Sequence, residues 1–323
     1  MRLEWGIMKG QKPPPEDTMK KLLSILLMLA MLLSAASAEI FYIEDESQLP
    51  EGWTEKELFR LTAIDTDRSD AMLIQCGGEN MMIDGGSVQF YPRLEELFDA
   101  EGITEFKYLF NTHPDNDHLQ GLTKMMNHRI LAEDGKTDLG PKYQIGGFCS
   151  AVKKDYKNTS YHKAAVRAVD KYGIPYVQVY HGDVLTLGGA TINIIRCDES
   201  WGTNARSACT QIVFGNSKVL LMGDCDSRPQ NYFLKNVDPS LLECDILKAV
   251  HHGINGFEEK FLEVAQPEFI FIPNFKAHKS IKNGTKRKFA EYNALYSGDG
   301  TVVMETDGTD WYIWQLPNWT KKK

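Results

Sequence analysis

The chain has 323 residues, of which 42% are hydrophobic and 25% charged. This balance is typical of a globular protein and excludes a fibrous or largely disordered chain. The formal net charge of −8 argues against a protein that coats nucleic acid nonspecifically, although it is compatible with a local basic groove.

The first residues have the layout of a secretory signal peptide. Met19-Lys20-Lys21 is a basic start, the run 22–33 is almost unbroken in apolar residues, and Ala36-Ser37-Ala38 is a small-x-small cleavage pattern. We predict that residues 1–38 form the signal peptide region, with Met19 as the true start and cleavage after Ala38. The apolar run is shorter than the roughly 20 residues that a membrane helix needs, so we expect no membrane span in the mature chain. An uncleaved anchor is the alternative.

The region after residue 38 contains six cysteines without a C-x-x-C spacing, which disfavours a zinc ribbon. An exported chain could form disulfides, and scattered buried thiols are the alternative. The cysteines are Cys76, Cys149, Cys197, Cys209, Cys225 and Cys244.

Residues 39–323 contain no internal repeat or low-complexity linker, so we predict a single domain. Apolar runs between polar turns predict strands over 58–64, 71–75, 81–83, 106–110, 176–180, 191–195, 211–214, 219–222, 245–250, 268–272, 301–305 and 311–314. Helical spacing is present over 93–100, 121–127, 162–172, 257–264 and 286–296. This alternation predicts a layered α/β domain.

Three pairs of these strands are predicted to be neighbours. Segments 176–180 and 191–195 would be joined across Gly188-Gly189, and Gly215-Asn216-Ser217 would close a hairpin between 211–214 and 219–222. Segments 301–305 and 311–314 would form a closing hairpin around Asp307-Gly308.

One loop is crowded with groups that bind metals. Asn111-Thr112-His113-Pro114-Asp115-Asn116-Asp117-His118 follows a predicted buried strand and precedes a predicted helix. Polar and charged groups packed this tightly usually need a cation, and imidazole with carboxylate suits zinc, manganese or iron. In an extended loop, alternation would place His113, Asp115 and Asp117 on a common side. His118 would turn away, where it could serve a second metal.

Four motifs in sequence order resemble the metallo-β-lactamase superfamily, and the likeness extends over most of 58–275. The loop at 113–118 fits the pattern H-x-[HD]-x-D-H, and residues 82–86 match an Asp-Gly-Gly turn. Residues 220–224 match a strand ending in Gly-Asp, and 245–253 match a strand ending in His-His-Gly. The Asp115 variant followed by Gly121 resembles the hydrolase domain of ComEC-like DNA-internalisation competence proteins.

The resemblance implies the four-layer αββα sandwich of the metallo-β-lactamase fold, with one or two divalent metal ions, Zn or Mn. It implies that His113 and Asp115 hold one metal. Asp117 and His118 would hold the second, and Asp224 would bridge the two.

The resemblance leaves His251 and His252 interchangeable. One would complete the second metal site and the other would lie near the substrate, so both are candidates for metal binding and for catalysis. Asp117 would bind metal and orient the attacking hydroxide, which makes it a third catalytic candidate. Asp84 would be a structural residue of its motif.

The sequence departs from the wider superfamily in two places. Many members have a further His before the Gly-Asp strand, whereas segment 202–210 has none and offers Asn204 and Ser207 as substrate-binding candidates. The usual Gly-Gln-Gly-Asp turn retains only Asp70. Cys225 directly follows Asp224, and strand alternation would point it away, which favours a structural role.

A basic segment stands out in the acidic chain. It contains Lys276, His278, Lys279 and Lys282, and continues through 286–288. His278 and Lys279 are candidates for contact with substrate, and the segment as a whole could be a phosphate-contacting rim beside the metal. A solvated surface is the alternative, because runs of charge usually have no other role.

These features predict a secreted or cell-envelope hydrolase in which a metal-bound hydroxide attacks an ester. The favoured bond is a phosphodiester, in a nucleic acid or in a small phosphorylcholine-type ester. A β-lactamase is disfavoured because the intermediate His is missing. No stable protein partner is implied. The alternative from another class is a non-catalytic cell-surface binding protein that retains the fold.

Overall fold

The computed structural model describes residues 38–197 and 201–319. Apart from Ala38, the predicted signal peptide lies outside this range. Within the described residues, none of the helices has the length and apolar character that crossing a membrane requires.

Twenty strands and six α-helices make up the regular structure of the described residues. The strands are β1 (Ile40–Tyr42), β2 (Phe59–Ala63), β3 (Ala71–Cys76), β4 (Glu79–Gly85), β5 (Glu105–Phe106), β6 (Tyr108–Asn111), β7 (Arg129–Leu131), β8 (Asp138–Pro141), β9 (Gln144–Ile145), β10 (Phe148–Ser150), β11 (Tyr176–Gln178), β12 (Val184–Leu187), β13 (Ala190–Ile195), β14 (Cys209–Phe214), β15 (Ser217–Leu221), β16 (Ile246–Lys248), β17 (Phe269–Ile272), β18 (Leu295–Tyr296), β19 (Val302–Thr306) and β20 (Trp311–Gln315). The helices are α1 (Tyr91–Ala100), α2 (Asn116–Asn127), α3 (Ser160–Tyr172), α4 (Ser227–Asn236), α5 (Glu259–Ala265) and α6 (Asn283–Ala290).

Two large mixed sheets organise the domain. The nine-stranded sheet has the order β1-β20-β19-β2-β3-β4-β6-β10-β11, and the seven-stranded sheet has the order β12-β13-β14-β15-β16-β17-β18. Within the sheets, β4 and β6 pair in parallel, as do β15, β16 and β17. The carboxyl ends of these strands provide the loops that carry the motifs.

Three apolar clusters define the layers. The first fills the space between the sheets, where side chains such as Leu61 and Ile74 meet Ile192 and Ile246. The second packs α1, α2 and α3 against the outer face of the nine-stranded sheet. The third packs α4, α5 and α6 against the outer face of the seven-stranded sheet. The predicted four-layer αββα sandwich is confirmed.

The strand predictions hold where hairpins are local and fail at one long-range pairing. β14 pairs antiparallel with β15, and β19 with β20, as predicted. The predicted pairing of 176–180 with 191–195 is wrong: β11 pairs with β10 in the nine-stranded sheet, while β13 pairs with β12. The predicted turn at Gly188-Gly189 is correct, but the strand before it is Val184–Leu187. The strand predicted over 106–110 is divided into two strands at Lys107.

Two predicted helix boundaries also move. The helix predicted over 121–127 begins at Asn116, so the second half of the metal-binding loop is helical. The helix predicted over 286–296 spans Asn283–Ala290 and is followed by the short strand β18. All six cysteines are buried, and none of them forms a disulfide within the described residues, which agrees with the buried-thiol alternative.

Gly121 allows α2 to approach the end of β4. A Cβ atom added at Gly121 would lie 1.8 Å from the carbonyl oxygen of Gly85, a distance that no relaxation of a side chain can relieve. In contrast, Gly284 in α6 has no neighbouring atom within 4 Å of such a Cβ.

We predict that Gly121→Ala lowers the free energy of unfolding by on the order of 3 kcal/mol, because the helix must shift away from the sheet. Gly284→Ala is the matched control and should stabilise the protein by up to about 1 kcal/mol, because alanine favours helix. Urea denaturation followed by circular dichroism measures both. Equal stability of Gly121→Ala and the wild type would contradict the close approach.

Candidate metal centre

The motif residues lie at the edge where strand ends from both sheets meet. His113 follows β6 by two residues, and Asp84 is the second-to-last residue of β4. Asp224 and His251 each follow their strands, β15 and β16, by three residues. The parallel pairing of these strands brings four separate sequence motifs into one cluster.

The motif loop changes from extended chain to helix at its midpoint. Asp115 is extended (φ −81°, ψ 160°) and precedes the first residue of α2. The prediction of a single extended loop through His118 is therefore wrong from Asn116 onward. Asp117 lies in the first helical turn, where its negative charge interacts favourably with the helix dipole.

The His-His pair lies in a strained turn. His251 and His252 have φ values of 49° and 53°, and Gly253 has a φ of 72°. Left-handed backbone at a non-glycine residue costs about 1 to 3 kcal/mol and is usual at functional sites. The turn brings the Nε2 atoms of both imidazoles to 3.7 Å from the same carboxylate oxygen, Oδ2 of Asp224.

Asp224 is the centre of the cluster. Its Oδ2 atom lies 3.3 Å from Nε2 of His118 and 3.6 Å from Nε2 of His113. The Nε2 atoms of His251 and His252 each lie 3.7 Å from the same oxygen. Four imidazole rings thus surround one buried carboxylate.

Asp84 fixes the orientation of His118. The buried Asp84 carboxylate accepts hydrogen bonds from Nδ1 of His118 (2.7 Å), the Thr112 amide (2.9 Å), the Thr112 hydroxyl (2.6 Å) and the Asn111 side chain (3.1 Å). Because Nδ1 of His118 donates to Asp84, the Nε2 atom of the ring is directed toward Asp224. The structural role predicted for Asp84 fits these contacts.

Asp70 and Lys248 support His252 in a similar way. The Asp70 carboxylate lies 3.0 Å from Nδ1 of His252 and 2.5 Å from the Lys248 ammonium group, and all three side chains are fully buried. Nε2 of His252 lies 3.2 Å from Oδ2 of Asp117. Lys248 also donates to the carbonyl oxygen of Gly223, which ties β16 to the loop that carries Asp224.

Ser207 lies behind the cluster. Its hydroxyl is 3.3 Å from Nδ1 of His113 and accepts a hydrogen bond from the Asp224 amide. It donates to the carbonyl oxygen of Asn204, which is half-buried. Ser207, predicted to bind substrate, is itself fully buried and contacts the residues of the cluster.

Three side chains of the cluster are partly exposed to solvent. The exposed side-chain fractions are 37% for Asp115, 22% for Asp117 and 28% for His251, whereas His113, His118 and His252 are buried. A molecule that enters from solvent therefore meets Asp115, Asp117 and His251 first.

Several atoms of the cluster are suited to a cation. The Nε2 atoms of His113, His118 and His252 and the Oδ1 atom of Asp224 are buried and have no partner with hydrogen-bond geometry among the described residues. Ligand atoms of Asp70, His118, Asp224 and His252 lie within 4.8 Å of one another. Since Lys248 already neutralises Asp70, we regard Asp70 as a support for His252 instead of a ligand. Buried polar atoms without partners are costly, and a divalent cation would satisfy them.

The cluster also perturbs the pKa values of its own members. Burial opposes ionisation of Asp224, but His118, His252 and His113 outweigh it and hold the pKa of Asp224 well below its usual range. Burial likewise opposes protonation of His252, yet Asp224 and Asp70 raise its pKa to about 9. Burial, together with His118, lowers the pKa of His113 to about 3. His113 is thus the imidazole that most readily remains neutral and available as a ligand.

The remaining predicted residues lie outside the cluster. His278 contacts Ser280 and the Phe275 ring, and Lys279 is exposed. Cys225 is fully buried, with its sulfur 3.3 Å from that of Cys209, which agrees with a structural role.

Sequence reasoning missed Lys248 and undervalued Asp70. A lysine within the apolar run of β16 was a detectable signal, because a buried lysine almost always has a partner. The contact of Asp70 with His252 joins segments that are far apart in sequence, so no local pattern reveals it.

The comparisons with known proteins agree with this geometry. The sequence model of the metallo-β-lactamase superfamily matches residues 64–267, more than half of the chain. The chain belongs to this superfamily. It is 26% identical over 176 residues to ComE operon protein 3 of Bacillus subtilis strain 168, covering 54% of this chain and 20% of that protein. The chain thus spans about a fifth of the length of this relative. The match itself agrees with the competence-like resemblance.

Two solved structures are also similar to this chain. The metallo-β-lactamase fold protein YhfI from Bacillus subtilis has a TM-score of 0.48 at 15% identity, covering 78% of this chain and all of that chain. The diiron β-hydroxylase CmlA from Streptomyces venezuelae has a TM-score of 0.45 at 12% identity, covering 74% of this chain and 52% of that chain.

We predict that Asp84→Asn weakens metal binding about 10- to 100-fold. The amide keeps the shape of the carboxylate but loses much of its strength as an acceptor for Nδ1 of His118. Competition with a fluorescent chelator measures the affinity. Asp170→Asn, on the exposed surface of α3, is the control, and equal affinities of the two variants would contradict the orienting role.

We also predict that metal binding releases protons. At pH 7 His252, whose pKa is about 9, carries a proton that must leave before Nε2 can bind a cation. The apparent affinity should therefore rise with pH up to about 9. Calorimetric titrations in two non-coordinating buffers with different ionisation enthalpies measure the release, and identical heats in both buffers would contradict it.

Proposed function

We propose that the protein is a secreted or cell-envelope hydrolase that uses divalent metal, Zn or Mn, to cleave phosphodiester bonds. The observation that carries the proposal is the convergence of four imidazole Nε2 atoms on Oδ2 of Asp224, at distances of 3.3 to 3.7 Å. Three of those nitrogens lack hydrogen-bond partners within the described part of the chain.

Two sets of side chains near Asp224 would hold the metal. His113 and Asp115 would form one set, and Asp117, His118 and His252 would form the other. A divalent cation at such a site supplies positive charge that acidifies water and offsets the charge developing on an ester oxygen. We assign His252 to the ligand set because it is buried and Asp70 holds its Nδ1 side.

His251 is then the histidine that faces the substrate. Its ring is partly exposed, and its Nδ1 atom is 3.2 Å from the Asn255 side chain, which holds the ring in place. A histidine in this position can deliver a proton to the leaving group or stabilise a developing oxyanion. The partly exposed Asp117 would orient the attacking water.

The choice of a phosphodiester rests on sequence similarity. The similarity to a protein of a competence operon favours a nucleic-acid ester, and phosphorylcholine-type esters are the small-molecule alternative. Segment 202–210 has no histidine, which argues against efficient β-lactam hydrolysis. The cell-envelope location rests on the signal-peptide pattern.

We predict that the purified protein hydrolyses bis-p-nitrophenyl phosphate when Mn²⁺ or Zn²⁺ is added. Asp117→Ala should lower kcat/KM by about 100-fold or more, because the attacking water loses its positioning group. Asp170→Ala is the matched carboxylate control and should retain activity. Release of p-nitrophenolate measures the rate. Metal binding without hydrolysis of this or any other ester would favour a non-catalytic binding protein.

A further inference from the structure

Five cationic side chains belong to the loop between β2 and β3, the loop between β17 and α6, and helix α6, and none of them forms an ion pair within the described residues. They are Arg68, Lys276, Lys279, Lys282 and Lys286, which we term the basic rim. Four are exposed and Lys286 is half-exposed. By contrast Lys288, on the same helix as Lys286, lies 3.9 Å from both Glu259 and Glu291. Unpaired cations on a chain with a net charge of −8 are available for an anionic ligand.

Arg68 lies on the Asp117 side of the metal centre. It belongs to the loop between β2 and β3, and Asp70 of the same loop contacts His252. The Asp70 amide donates to the carbonyl oxygen of Asp117. The loop that presents Arg68 thus contacts Asp117, one of the partly exposed residues of the cluster.

The loop after β17 packs against the Arg68 loop. A Cβ atom at Gly298 would lie 2.3 Å from the Asp67 carbonyl oxygen and 2.6 Å from the Asn274 carbonyl carbon, so the backbones at 67, 274 and 298 are in close contact. The Asn274 side chain donates to the carbonyl oxygen of His252. Lys276 and Lys279 therefore extend from a loop that is anchored to the metal centre.

The charges of the rim also act on His278. Burial lowers the pKa of His278, and Arg68, Lys279 and Lys286 lower it further. These side chains, although distant in sequence, thus share one positive region. Two carboxylates lie close to it: Asp67 is paired with Arg93, and Asp299 accepts a hydrogen bond from the Lys276 amide.

Lys282 extends the rim to the His251 side. It lines a pocket of about 520 Å³ together with Asn255, whose side chain contacts His251. Asp226 also lines this pocket and is paired with Arg228 at 2.6 Å, while Glu258 is half-buried there. The rim thus reaches Asp117 through the Arg68 loop, and it reaches Asn255, beside His251, through Lys282.

We propose that the basic rim binds phosphates that flank the scissile ester, so that the substrate is a chain of phosphodiesters and not an isolated small ester. This inference rests on the proposed phosphodiesterase function. A small diester would occupy the metal centre without reaching the rim, whereas a chain would contact both. The contacts would be electrostatic and therefore sensitive to salt.

The test compares a rim variant with a matched surface variant. The rim variant carries Arg68→Gln, Lys276→Gln and Lys286→Gln, and the control carries Lys157→Gln, Lys163→Gln and Lys235→Gln. The measurement is the ratio of kcat/KM for a 20-nucleotide oligothymidylate to kcat/KM for bis-p-nitrophenyl phosphate, at several salt concentrations.

We expect the rim variant to lower this ratio at least tenfold. The slope of log KM against log salt for the oligonucleotide should fall by about 2, because three cations have been neutralised. The control should match the wild type in both respects. A rim variant that behaves like the control would overturn the proposal.

Binding separates failure of the rim from failure of the proposed function. If the wild type does not cleave bis-p-nitrophenyl phosphate, the phosphodiesterase proposal fails. Fluorescence anisotropy of a labelled oligothymidylate then still tests the rim. At least tenfold weaker binding by the rim variant than by the control supports it, and equal binding overturns it.

Discussion

The structure depends on one buried carboxylate surrounded by imidazoles. Asp224 brings together four histidine nitrogens from two separate segments of the chain, and it can do so only because parallel strands end at a common edge. A fully buried carboxylate is unfavourable unless positive charge surrounds it. Protonated histidines supply that charge in the metal-free protein, and a divalent cation would replace their protons. The same interaction therefore links the fold to the chemistry.

The residues around this cluster hold its atoms in fixed directions. Asp84 and Asp70 lie against the Nδ1 atoms of His118 and His252, which leaves both Nε2 atoms turned inward. Lys248 neutralises Asp70, and the left-handed turn at 251–253 stores strain that the surrounding packing must offset. Such supports usually matter nearly as much for metal affinity as the ligands themselves. The open side of the cluster is left to Asp115, Asp117 and His251, where substrate can enter.

Local patterns predicted the hairpins, the layered α/β class and the position of the metal-binding loop, because these follow from short-range alternation and turn chemistry. The resemblance to a family supplied the four-layer order and the distant residues Asp224 and His251. Neither source predicted that α2 begins at Asn116, since Pro114 and the polar residues after it suggested a loop. Nor did they reveal the contacts of Asp70 with His252 and Lys248, because those contacts exist only after the two sheets pack. The pairing of β10 with β11 was not predicted either, because these parallel strands are connected through α3 and not by a hairpin.

The most direct test of this account is the amount of metal that the cluster retains. The purified protein, Asp224→Asn and Asp170→Asn would be dialysed against Zn²⁺ or Mn²⁺ and then against metal-free buffer, and the bound metal measured by inductively coupled plasma mass spectrometry. The account predicts at least one ion per chain in the wild type and in Asp170→Asn, and loss of that ion in Asp224→Asn. A wild type that retains no metal, or an Asp224→Asn variant that retains as much as the wild type, would contradict it.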